Sequence, residues 1–146
     1  MMFIPNIDRC FLFLSILSAI AGMSLGIFMG SRQDFFLAPV HAHVNLVSFV
    51  SLALFGIAYR IEWARKNRLA LLHFALGGAG AVLLPLGIAV AMISHRPALA
   101  IIGSLLTLAS MLLFLVNCIS AHWTSVSANS ILNVSGDTAR LPETMV

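Results

Sequence analysis

Four uncharged runs limit what this chain can become: Cys10 to Met29, Pro39 to Tyr59, Leu69 to Ser94 and Pro97 to Ser120. A hydrocarbon layer of about 30 Å is crossed by roughly 20 helical residues, and each run is long enough to do so. Inside lipid every backbone N–H and C=O must be paired within the chain, which a helix does locally. The runs therefore predict an all-α integral membrane protein, a four-helix bundle. The 60% hydrophobic and 9% charged residues fall outside the range of soluble domains and agree with this. The four-helix domain is expected to occupy residues 1–122, with no separate soluble domain. From Trp123 onward the composition turns to Ser, Thr, Asn and Gly, and residues 123–146 are expected to form a cytoplasmic tail with little fixed structure.

Charge then orients the bundle. Arg60, Arg65, Lys66 and Arg68 crowd the second connection against one acid, Glu62, whereas the first and third connections carry only Arg32 and Arg96. The positive-inside rule puts the second connection and both termini in the cytoplasm, an N-in/C-in arrangement in a bacterial inner membrane. The net charge of +3 is a topology signal, so the expected partner is membrane lipid and not nucleic acid. Cys10 and Cys118 fit no metal spacing and read as small apolar side chains in helix packing. No Asp or Glu lies within the four runs, which argues against a proton relay.

Small residues come next. Ser18, Gly22, Gly26 and Gly30 recur every four residues along the first run and make a ridge for close approach by a helix or a flat cofactor, helix packing being the commoner use. Pro39 suits the first turn of the second helix, and Trp63 an interfacial anchor. In the third run Gly77, Gly78, Gly80 and Gly87 surround a helix that Pro85 should kink, an arrangement expected to leave room inside the bundle.

The second helix opens with two histidines and an asparagine, PVHAHVNLVSFVSLALFGIAYR. On an α-helix His41 and Asn45 share a face with Ser48, Leu52, Phe55 and Tyr59. His43 lies about 200° away, so the two histidines point in different directions. His41, His43 and His95 are expected towards the outer face, His73 and His122 towards the inner one. His43 and His73, separated by roughly 25 Å of helix, cannot share one metal ion. Histidine within a bilayer is costly enough to mark a site by default. Zinc fits poorly, because the runs supply no HExxH, no CxxC and no carboxylate. Haem fits better: it needs one or two axial histidines, an apolar slot and a cation near the surface for its propionates.

The run HAHVNLVSFVSLALFGIAYR resembles helix two of the haem-copper oxidase subunit I superfamily, particularly its nitric oxide reductase branch. There a His-x-Asn preceding an apolar helix supplies an axial ligand of the low-spin haem; the matching residues here are His43-Val44-Asn45. The chain also looks similar to small bacterial four-helix membrane proteins with a His-Ala-His-x-Asn-Leu run that are grouped with that superfamily. The resemblance implies b-type haem (haem b) and His43 as ligand, whereas the polar stripe favours His41 with Asn45. It leaves His95, a water or a histidine of a second copy as the other ligand, Arg96 or Arg32 as propionate partners, and His73 as an inner-level candidate. The helices bearing the copper ligands of a full oxidase are missing, so stand-alone oxygen or nitric oxide reduction is not expected. Electron transfer or sensing of a diatomic gas is the expected role, and a non-catalytic accessory or assembly subunit of a respiratory complex is the rival.

Overall fold

The computed structural model describes the backbone of residues 6–138 and the side chains of residues 6–122. Among them are four helices: α1 (Ile7–Arg32), α2 (Ala38–Arg60), α3 (Arg68–Ser94) and α4 (Ala98–Thr138). All four, α4 over Ala98–His122, are long and apolar enough to cross a membrane. The chain is a multi-pass, all-helical membrane protein. Of the tail expected over 123–146, the helical backbone of α4 takes in residues up to Thr138; the side chains beyond His122 and all of 139–146 lie outside the described residues.

Local chemistry sets the helix ends. α1 stops at Gln33, whose left-handed backbone (φ 51°) lets its N–H reach the carbonyls of Gly30 and Met29. Pro39 sits in the first turn of α2, where no main-chain donor is needed. The Asn67 side chain caps α3 by accepting from the Ala70 N–H at 3.1 Å. His95, again left-handed (φ 56°), closes α3 just before Pro97. α1 begins at Ile7, earlier than the apolar run, so Asp8, outside that run, lies in its first turn.

α1 packs chiefly on α2, and α3 on α4. The two pairs meet in an aromatic core near the α2–α3 connection, called the basic end below. Phe11, Phe55, Tyr59 and Phe114 surround the His73 ring and Phe74 packs on Phe11, with neighbouring centroids 4.5 to 6.1 Å apart. Large apolar side chains such as Phe13, Ile27, Ile93 and Leu105 face outward, as helices solvated by lipid require.

The room expected around the glycines of α3 is filled. A Cβ on Gly77 would stand 2.7 Å from Ser110 Oγ, one on Gly80 2.6 Å from Thr107 Oγ1, and one on Gly87 would strike the Ala100 backbone. These glycines bring α3 and α4 backbone to backbone, the usual employment of small residues between membrane helices.

Candidate functional site

The histidine-bearing start of α2 is not a plain α-helix. Residues Val44–Ser51 form a π-helical segment between α-helical turns. A π segment widens the hydrogen-bond ladder from i−4 to i−5 and leaves a carbonyl at its edge short of a main-chain donor. Here the His41 carbonyl accepts the Val44 N–H and, in addition, Asn45 Nδ2 at 2.9 Å. Ser51 Oγ donates back five residues to the Leu46 carbonyl at 3.0 Å. The wider turn redistributes the polar stripe: His41 and Asn45 face α1, while Ser48 donates to the Ala81 carbonyl of α3.

The two histidines separate as helix geometry requires. His41 Nδ1–H donates to the Gly22 carbonyl of α1 at 2.9 Å. A Cβ on Gly26 would stand 2.8 Å from His41 Cε1, and one on Gly22 2.6 Å from Asn45 Oδ1. The ridge of α1 is thus occupied by His41 and Asn45, and no slot for a flat ring remains in that seam. Asn45 Nδ2 also lies 3.4 Å from each His41 ring nitrogen, too long for a firm bond. His43 Nδ1–H donates to the Pro39 carbonyl one turn back at 2.8 Å, and its Nε2 has no partner among the described residues. Donation from Nδ1 to a carbonyl fixes the tautomer with a lone pair on Nε2, the form in which histidine binds metals.

The remaining expected residues lie elsewhere. His95 and Arg96 are exposed at the turn after α3, and no hydrogen bond, ion pair or ring contact among the described residues joins either to His41 or His43. Arg32, at the end of α1, lies over the Phe28 ring at 4.9 Å. A Cβ on Gly30, one turn before the end of α1, would meet nothing within 4 Å. Among the described residues no group of three His, Cys, Asp or Glu side chains is placed to hold a metal ion. Of the cofactors expected from the sequence, haem is the one that needs no more than one or two protein nitrogens.

His73 belongs to a second polar group at the basic end that the sequence did not reveal as a unit. Asn117 Nδ2 donates to the Arg65 carbonyl and to Tyr59 Oη, both at 3.0 Å. With its oxygen accepting, the Tyr59 hydroxyl donates to His73 Nδ1 at 2.9 Å, which leaves the His73 proton on Nε2. All three side chains are fully buried, and His73 Nε2 and Asn117 Oδ1 have no hydrogen-bond partner among the described residues. Nearby, Asp8, 1% exposed, accepts from Lys66 Nζ at 3.0 Å and Arg60 Nη1 at 3.3 Å, tying the start of α1 to the α2–α3 connection. The one sequence signal for these groups was a polar residue on an otherwise apolar helix: Tyr59, His73 and Asn117 each lie within about two turns of the same end of the bundle.

Compared with family models, curated proteins and solved structures, the chain matches none of them. What fold and site define is a four-helix membrane protein with one histidine nitrogen open at the start of α2 and a closed polar network at the basic end.

Proposed function

We propose that the protein binds b-type haem through His43 at the end of the bundle opposite the basic connection, for electron transfer or for sensing a diatomic gas. The observation that carries the reading is His43 itself: Nδ1 anchored on the Pro39 carbonyl at 2.8 Å and Nε2 without a partner. His41 is the weaker candidate, because its ring is engaged with Gly22 and Gly26. Asn45 then acts as a positioning residue, holding the His41 carbonyl where the π turn begins. Arg32 and Arg96 are the cations available for propionates. Haem, when bound, supplies one-electron redox chemistry and an iron that binds small gases. The protein's own part is to present the His43 imidazole, held through Nδ1, from the start of a helix long enough to cross the membrane. N-in/C-in topology in a bacterial inner membrane, the α2–α3 connection in the cytoplasm, belongs to the same proposal and rests on the basic residues of that connection.

The engagement of His41 and Asn45 in the α1 seam favours a second reading, in which the histidines are structural and the protein is an accessory subunit of a respiratory complex. One experiment separates the two. Absorption spectra of the purified protein, oxidised and dithionite-reduced, should show a Soret band and sharp reduced bands in the wild type and in His41→Ala, and lose them in His43→Ala. A colourless protein after expression with ample haem would refute haem binding; a band lost in His41→Ala alone would reassign the ligand.

A further inference from the structure

Beyond that reading, the basic end carries more positive charge than the described carboxylates pair. Arg9, Arg60, Arg65, Lys66 and Arg68 gather there against two acids, Asp8 and Glu62. Asp8 is consumed internally by Lys66, itself only 14% exposed, and by one nitrogen of Arg60. Glu62, in a left-handed turn (φ 61°), makes no ion pair among the described residues. Arg9 and Arg68 are exposed and have no carboxylate partner there either, and the Arg60 side chain remains 63% exposed despite its bond to Asp8. Asp8 also fixes the geometry: by binding Lys66 and Arg60 it draws its neighbour Arg9 to the same end as Arg68. Beside these arginines Ile61 and Trp63, 66% and 64% exposed, project apolar surface from the same connection. Exposed guanidinium groups at the same end of the bundle as an exposed indole match a lipid at headgroup depth: phosphate for the arginines, acyl chain and glycerol for Trp63 and Ile61.

We infer that Arg9, Arg60 and Arg68, with Trp63 and Ile61, form a binding surface for the phosphate of anionic phospholipids, and that the protein selects these over zwitterionic lipids at its basic end. Arginine suits this task better than lysine, since its planar fork donates two parallel hydrogen bonds to one phosphate.

The test uses Trp63 as reporter. A Trp123→Phe background leaves Trp63 as the single tryptophan of the two in the chain. The full-length protein is reconstituted in phosphatidylcholine vesicles, and Trp63 fluorescence is quenched with brominated phosphatidylglycerol or brominated phosphatidylcholine. Each basic residue near the surface favours an anionic lipid by about fivefold. The relative association constant of the anionic lipid should therefore be about fivefold or more. It should fall towards one in Arg9→Gln/Arg68→Gln and in high salt, while quenching by brominated phosphatidylcholine stays unchanged and reports an intact protein. Arg32→Gln, at the opposite end, should leave it high. A constant near one in the wild-type background, a high constant that survives the double substitution, or an equal fall in Arg32→Gln would overturn the inference.

Discussion

Replacing Tyr59 by Phe removes one oxygen from the most buried part of the protein and breaks a chain of donors at its centre. The hydroxyl accepts from Asn117 Nδ2 at 3.0 Å and donates to His73 Nδ1 at 2.9 Å, so two hydrogen bonds go at once. Between membrane helices such bonds average about 0.6 kcal/mol each, which gives roughly 1 kcal/mol for the pair. The substitution also leaves His73 Nδ1, already fully buried, without a donor, at a cost of about 1–3 kcal/mol. The total is about 2–4 kcal/mol, although the ring and its stacking on Phe11 at 5.6 Å are kept. His73→Phe should cost less, because it removes an unpaired nitrogen along with a paired one. The double substitution replaces the polar pair by apolar rings of similar size, so it should be less destabilised than the sum of the two single ones by about 1 kcal/mol or more. Equilibrium unfolding of the four proteins in mixed micelles by dodecyl sulfate measures the cycle. A Tyr59→Phe protein within about 0.3 kcal/mol of wild type, or strict additivity, would refute the coupling, since close pairs sharing a network depart from additivity by about 0.5 kcal/mol or more.

The α1–α2 seam gives a graded series: Gly22→Ala and Gly26→Ala drive a methyl into Asn45 and His41 and should each cost about 1–3 kcal/mol in the same unfolding assay, while Gly30→Ala, with nothing within 4 Å, should be neutral or slightly stabilising. Asp8→Asn removes the negative charge that Lys66 and Arg60 share; because Arg60 is largely exposed, the loss should lie between that of a surface and a buried ion pair, about 1–3 kcal/mol, and shrink in high salt. An unchanged stability would mean that Asp8 does not hold α1 to the α2–α3 connection.

The positions of the helices were legible because hydropathy and helix length depend on each segment alone. The expected runs from Pro39, Leu69 and Pro97 begin within a residue of α2, α3 and α4, since Pro39, Asn67 and Pro97 carry their own local signals. The start of α1 was missed because Asp8 and Arg9 look like flanking charge, and only the placement of Lys66 and Arg60 makes Asp8 an interior residue. The π segment had no marker either: Val44–Ser51 is as apolar as its surroundings, and its stability depends on Asn45 and Ser51 taking up carbonyls. That His41 and His43 diverge follows from the helical period, but which of them meets the glycine ridge depends on how α2 is rotated against α1. The Tyr59–His73–Asn117 group needs three helices to be neighbours at one end, a relation no single segment encodes.

These particulars constrain the haem reading from within. The ridge of α1 serves helix packing, its commoner use: Gly22 and Gly26 are taken by Asn45 and His41, and of the three ridge glycines Gly30 alone stands open. His73 is enclosed by aromatic rings and held by Tyr59, so a ligand role for it would require the core to come apart. A porphyrin on His43 would accordingly lie outside the α1–α2 seam, against lipid or another chain, and a second histidine ligand would come most directly from a second copy. This predicts that haem content and oligomeric state rise and fall together. A pigmented protein that stays monomeric, with the spectrum of two histidine ligands, would break that link and require His95 to reach the iron within one chain.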